Sequence, residues 1–432
     1  MKKWIFILIG IIFIVFLAFF KGFINFSKPV IEFKNQGYIG TSSDIILILK
    51  DDKPGLKEVK VYLKQGNSEF KVYQANLEGK NEEKIILKLQ PKQYGIVEGK
   101  GQIIIQVTDD SLLKNKSILN QEVIFDYTPP TIALINYSQN MINGGTGFAF
   151  FDTNEKLQDA KVFVGEIPFK CLNINQKYIC PFSIPYYFES MKPVFITVTD
   201  YAGNKSSQSL NLNVKWVQYG KSILDIDDNF IETKIRPLSD KDIKDPVELF
   251  RYVNVEIRKR NEDFIHRKTA ECKNLKPMFQ GEFTYLENSA KLGGFADYRK
   301  YRYKGQIIEG ADAYHKGFDF ASIKNAEVKA SNNGEVVFAG FLGIYGNSVI
   351  IDHGLCVYTL YSHLSQINIK EGEKVNKGQM IGKTGTTGLA VGDHLHYGVL
   401  VNGIEVNPVE WFDIKWLNTR FYDTYKNLGG VR

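Results

Sequence analysis

The chain has 432 residues, 44% of them hydrophobic and 24% charged, enough apolar material for about two to four separately cored domains. A net charge of +6 over that length is too dilute to argue for nucleic acid as a partner. It suits a polyanionic surface such as a cell wall or anionic lipid, and equally well a plain solubilising surface.

The N-terminus opens with two lysines, then an uncharged, mostly apolar run from Trp4 to Phe20, then Lys21. Such a run lies at the short end of a membrane-spanning helix, and lysines ahead of it favour a cytoplasmic tip. A cleavable signal would end in small residues, whereas this one ends "LAFFKGF". The expectation is therefore an uncleaved signal-anchor, residues 1–28, crossing the cytoplasmic membrane once through residues 4–20. The C-terminal part would then lie in the periplasm or another extracytoplasmic space.

Residues 29–215 read as β. Apolar and polar residues alternate in "EVKVYLK" (58–64), "EKIILKL" (83–89), "GQIIIQV" (101–107) and "AKVFVGE" (160–166), with turn residues between. "VTDDSLLKNKS" from Val107 is echoed by "VTDYAGNKSS" from Val198, a spacing that suits two copies of one sandwich, 29–128 and 129–215. "DYTPPTI" (126–132) is a rigid joint between them, because paired prolines favour extended backbone. The join "TPPTI" and the ending "VTDYAGN" resemble bacterial immunoglobulin-like repeats of surface and periplasmic proteins. Of the four cysteines, Cys171 and Cys180 flank the polar turn "NINQ" and could meet across two short strands as a disulfide. Cys272 and Cys356 are expected free and buried, a bridge between them being the alternative.

Residues 216–285 change character and read as a helical connector. "DPVELFRYVNVEIRKRNEDF" starts with Asp245 as N-cap, Pro246 at the first helical position and Glu248 at the capping-box position. Leu249, Phe250, Val253, Ile257 and Phe264 follow at helical spacing. His266 near its end is expected to be a polar surface histidine. From 286 to 432 glycine-bounded short strands return, and the glycine punctuation of "EGEKVNKGQMIGKTGTTG" implies tight turns.

Six histidines occur in the whole chain, and two short stretches hold three of them. "HKGFDF" places His315 and Asp319 around Gly317, which disfavours a helix. In a strand, 315, 317 and 319 share one side, with room over the glycine for a metal, while Phe318 and Phe320 face away. "HLHYG" likewise puts His394 and His396 on one side, opposite Leu395 and Tyr397. Two imidazoles and one carboxylate suit zinc with a fourth position left open. No CxxC pair is present, so a structural zinc finger is not expected. His363 ends the alternating run "VYTLYSH" and joins the candidates; His353, beside a glycine in "IDHGL", is read as structural.

These residues carry a resemblance. The span 291–411, through "HKGFDFAS", "ASNNGEVVFAGFLGIYGNSVIIDHG", "YTLYSHLSQI", "VNKGQMIGKTGTTG" and "GDHLHYGV", is similar to the lysostaphin-type zinc endopeptidases, the LytM or M23 family. Together with the two Ig-like β-sandwiches and the short helical connector read above, the resemblance makes a mainly β chain, ending in a C-terminal antiparallel β-sheet metallopeptidase domain, 286–432. It implies Zn2+ held by His315, Asp319 and His396, with His363 and His394 as catalytic groups beside it and water as the nucleophile. A tyrosine near the site is also implied, with Tyr301, Tyr303 and Tyr314 as candidates. The implied substrate is the peptide cross-link of peptidoglycan, with any regulatory protein undetermined. The alternative is a non-catalytic zinc-binding cell-wall protein that activates amidases, as in family members lacking metal ligands.

Overall fold

The computed structural model describes residues 2–20, 24–34 and 37–429. The chain is mainly β and divides into two compact units. One holds residues 1–131 with 154–159 and 198–206; the other holds 132–153, 160–197 and 207–432.

The N-terminal segment is a helix, Lys2–Phe20. Its apolar part from Trp4 rises about 26 Å, against a hydrocarbon core about 30 Å thick. No helix among the described residues is long and apolar enough to cross a membrane. The expected single-pass anchor and the membrane localisation built on it are thereby corrected: the apolar stretch falls short of a span. Lys21, expected to extend it, lies outside the described residues.

In the first unit a three-stranded sheet (Val30–Lys34, Ser43–Lys50, Glu82–Leu89) and a five-stranded sheet share one core. Ile45, Leu47 and Leu49 alternate inward from the first sheet and meet Val59, Val61, Ile103 and Ile105 from the second. This is the period-two burial that the alternation predicts. The sequence echo also has a structural counterpart. Asp109 and Asp200 are each fully buried at a strand end and each close a turn. Asp109 accepts from Ser111 N–H and Asn115 Nδ2, while Asp200 accepts from the N–H groups of Ala202 and Asn204 and from Asn204 Nδ2. The two asparagines then donate to Asn25 O (2.7 Å) and Asp126 O (3.0 Å), each pinning the chain ahead of its own repeat. Buried Asx turns of this kind satisfy backbone donors that no ladder reaches.

In the second unit, Cys171 and Cys180 are joined across the hairpin Leu172–Ile174/Lys177–Ser183. Its tip, Asn175 and Gln176, has φ 52° and 68°, the paired left-handed conformation of a tight hairpin. Phe148 and Phe150 from the neighbouring strand Thr146–Asp152 enter the same core as Trp411 and Phe421 of the C-terminal region.

The connector helix starts at Pro246 with the Asp245 carboxylate accepting from Glu248 N–H. It runs through a π turn, Val253–Ile257, into Arg258–Ala270. Leu249, Phe250, Val253 and Ile257 are buried with Tyr301, Tyr345, Ile350 and Tyr358 in one cluster, and Phe264 packs edge-on against Phe338. Approach is close enough that a Cβ on Gly343 would sit 2.4 Å from Asn261 Oδ1, and Gly343 itself has φ +46°. Beyond the helix, Cys272 is bridged to Cys356. That corrects the expectation of free thiols. Leu355 N–H donates to Asn274 O, laying the post-helix segment beside the Asp352–Val357 turn. A separation of 84 residues hides that proximity in the sequence.

The C-terminal region is built on an eight-stranded sheet. Its order is Ala290–Gly293, Phe318–Ala321, Leu395–Val401, Val357–Leu364, Asn347–Asp352, Gly334–Phe341 and Lys374–Val375, with Ile404–Val406 paired to Leu395–Val401. A smaller sheet pairs Lys221–Ile226, from the connector region, in parallel with Tyr298–Tyr303.

Candidate metal centre

Strand register assembles the site. Asp319 lies directly opposite His396, and His396 opposite Ser362, whose neighbour is His363. Phe318 and Phe320, on the other face, are buried in the core. His315 lies ahead of the Phe318–Ala321 strand, its N–H donating to Asp297 O and its carbonyl accepting from Ala296 N–H. Gly317 must be glycine here: a Cβ would meet Tyr397 O at 2.4 Å and His396 Nε2 at 2.9 Å. His394 is held where the last long strand begins, by a bridge to Gly385. His363 has φ +62°, a left-handed conformation costly for a histidine, in a strand that is otherwise extended.

The five residues converge. His315 Nε2 is 2.9 Å from Asp319 Oδ1 and 2.9 Å from His396 Nδ1, and His396 Nδ1 is 3.1 Å from Asp319 Oδ1. His394 Nε2 is 3.6 Å from the same oxygen, and the His363 and His394 ring centres are 4.8 Å apart. Three carbonyls fix ring orientation: Gly294 O faces His315 Nδ1 (2.7 Å), Thr387 O faces His363 Nδ1 and Gly392 O faces His394 Nδ1 (both 2.8 Å). A carbonyl only accepts, so each Nδ1 carries the proton and each neutral ring presents the Nε2 lone pair.

These atoms fit a metal. His315 Nε2 is a lone pair aimed at a carboxylate oxygen and at a second imidazole nitrogen. His396 Nε2 is buried without a hydrogen-bond partner. A proton on His396 Nδ1 leaves Nε2 as a bare buried acceptor, and moving it to Nε2 leaves three converging acceptors. Either arrangement is costly without a cation. Two imidazole nitrogens and a carboxylate are the donor set of an open zinc site.

Electrostatics agree. Burial pushes His396 down to about 4, with the Asp319 hydrogen bond opposing. Burial, then the neighbouring His394, holds His363 well below the imidazole range. Burial opposes the Asp319 charge, yet the two facing imidazoles, His315 foremost, bring that carboxyl well below its usual range. Asp319 Oδ2 accepts from Arg299 Nη2 at 3.1 Å, which occupies the oxygen not shared by the histidines.

The site opens into a cleft of about 420 Å3. Tyr301 and Tyr314 line it, but Tyr303 does not; its hydroxyl donates to Asp228. Tyr314 is 39% exposed, next to His315 in the chain, whereas Tyr301 is buried against Phe250. The sequence reading missed Tyr345, whose ring centre is 5.8 Å from that of His396, and it missed Arg299 and Arg258. None of these stands in a spacing that would single it out. His353 is buried between Asn333 O and the Thr359 hydroxyl, and His266 pairs with Glu405 at 2.7 Å. Asp126, Glu155 and Asp200 also lie close together in the first unit, but Asp200 there closes its own turn.

Residues 313–408 match the model of Peptidase family M23. Over 89 residues the chain is 46% identical to a DD-carboxypeptidase/endopeptidase of Neisseria meningitidis serogroup B, covering 21% of this chain and 20% of that protein. Over 91 residues it is 45% identical to a peptidoglycan DD-endopeptidase of Vibrio cholerae, covering 21% of each. The catalytic domain of the antimicrobial peptidase lysostaphin from Staphylococcus simulans aligns at 29% identity and TM-score 0.26, covering 31% of this chain and 98% of that one. The chain thus spans about a fifth of the length of the curated relatives it matches. Residues 313–408 of the C-terminal region are thus similar in sequence to M23 peptidases.

Proposed function

We propose that this protein is a zinc endopeptidase that hydrolyses peptide cross-links of peptidoglycan. The observation that carries the reading is the convergence of His315 Nε2, His396 Nδ1 and Asp319 Oδ1 within 2.9–3.1 Å of one another, beside two further histidines. The substrate class rests on the names of the relatives.

In this reading His315, Asp319 and His396 hold the zinc, which when bound supplies a Lewis acid for the scissile carbonyl and acidifies water. His363, kept neutral by burial and oriented by Thr387 O, accepts the proton of the attacking water at Nε2 and passes it to the leaving amine. His394, whose Nδ1 proton is held by Gly392 O, would donate from Nε2 toward the carbonyl oxygen only as the doubly protonated imidazolium, stabilising the charge that develops there. Arg299 holds Asp319 by its outer oxygen, so that the inner one points at the histidines. The two N-terminal β regions, 29–128 and 129–215, are proposed as Ig-like repeats, with 216–285 a connector and 286–432 the catalytic domain. The repeated Asp109 and Asp200 turns support that division.

Digestion of purified sacculi by the full chain, with metal content measured on the same sample, tests the reading. Release of uncross-linked muropeptides by wild type and not by His363→Ala is expected. A zinc-loaded wild type that binds sacculi and releases nothing would transfer the assignment to the amidase-activating alternative.

A further inference from the structure

Part of the lining of the cleft that holds the candidate metal centre comes from outside the matched family segment. Ile223, Leu224, Phe230 and Arg258, all from the connector region, line the same cleft as His315 and His396. The charged groups there divide unequally. Arg299 is held by Asp297 and Asp319, and Lys316 by Glu262 (3.0 Å) and Glu405 (3.3 Å). Asp225 is gripped by both arms of Arg302, and Asp393 accepts from Thr384 and from Asn325 N–H.

Arg258 differs. Its Nε and Nη2 donate to Asn254, a neutral side chain, and no carboxylate among the described residues pairs with it. Glu262, one turn further along the helix, is taken by Lys316. Asn254 is itself 1% exposed and locked by a 2.6 Å hydrogen bond to Ala311 O. On the wall of the cleft, the guanidinium is therefore pinned in orientation by a buried amide and makes no ion pair or Nη1 hydrogen bond among the described residues. Guanidinium forks prefer a carboxylate, and orienting the fork beforehand removes part of the entropy cost of binding.

We propose that Arg258 binds a carboxylate of the peptide substrate close to the scissile bond, making the connector helix a specificity element of the peptidase cleft. This rests on the peptidase reading above for the nature of the ligand. The aliphatic Ile223 and Leu224, 53% and 37% exposed, give the same wall an apolar surface for small side chains of that peptide.

The test compares diacetyl-Lys-D-Ala-D-Ala with its C-terminal amide, using the full-length protein. Binding is measured by calorimetry on metal-free protein, so that the ligand carboxylate has no metal to bind, and kcat/KM on the zinc-loaded protein. Wild type is expected to prefer the free carboxylate by about 10- to 100-fold in affinity. Arg258→Met should bring that ratio close to one, through KM more than kcat, and Arg258→Lys should keep part of it. Melting curves confirm that each variant is folded. A wild type without preference, or a folded Arg258→Met with the wild-type ratio, overturns the proposal. Absence of hydrolysis of both peptides would instead count against the peptidase reading, while the binding ratio would still decide the role of Arg258.

Discussion

Two charged clusters are built around adjacent residues, His315 and Lys316, on opposite principles. In one, Lys316 is held between Glu262 and Glu405, and Glu405 also takes His266. Burial works against the Lys316 charge, but the two carboxylates raise its pKa, and the lysine in turn brings Glu405 down to about 2 despite burial. Each charge there has its partner within the protein. In the other, His315, Asp319 and His396 turn acceptors toward one another, and one ring nitrogen is left without a partner. A cluster that closes its own accounts holds structure together, whereas one that leaves converging acceptors is built to receive a cation.

Substitutions can break that distinction, and the largest effect is expected at the His315–Asp319–His396 cluster. His315→Ala and Asp319→Asn should reduce bound zinc from about one per chain to near zero. His363→Ala should keep the zinc and lower kcat by about 10²- to 10⁴-fold. Metal analysis beside sacculus digestion separates the two classes, and a His363→Ala protein at full activity would remove that residue from the chemistry.

At the Lys316 cluster the expected cost is stability. Glu405→Leu leaves a buried lysine short of a partner and should cost about 3–5 kcal/mol in denaturant unfolding, with zinc content of the folded protein unchanged. Adding Lys316→Met should recover much of that loss. If the single substitution were neutral, the view of this cluster as a structural clamp would fail.

The Cys272–Cys356 bridge ties the segment after the connector helix to the eight-stranded sheet. Replacing both cysteines with alanine should cost about 2–4 kcal/mol, since the closed loop is long. Calorimetry at fixed pH measures it, and an unchanged Tm would mean that the helix packing alone holds the connector.

The last effect concerns Glu410, whose carboxyl burial raises to about 7 although it accepts from Thr146 N–H. The folded state thus binds this proton more tightly than the unfolded chain. Its contribution is fully present below the ordinary value of 4.5 and is lost as pH rises through 7. Glu410→Gln should therefore be more stable than wild type by about 3 kcal/mol at pH 8, and the two should converge below pH 4.5. Parallel stability curves across that window would show that Glu410 does not titrate with folding.

The sequence made parts of this molecule legible where the signal was local. Alternation in 58–64 and 101–107 reports burial on one side of a strand, and "DPVE" reports a cap, because both depend on neighbours a few residues away. The echo of "VTDD" and "VTDYAGN" was visible for the same reason: a buried aspartate closing its own turn uses residues within six positions. The N-terminal run misled because hydrophobicity was plain while the length lay at the limit for a span.

Residue chemistry and short spacing by themselves determined the histidine and aspartate pairs, the connector helix and the β character of the chain. Only the tertiary structure decided that Asp319 faces His396 in register, that Cys272 meets Cys356 across 84 residues, and that Arg258 shares a cleft with His315. Those contacts join segments remote in sequence, and no spacing rule encodes them. They follow from how the sheet pairs and where the helix packs, which the whole core fixes at once.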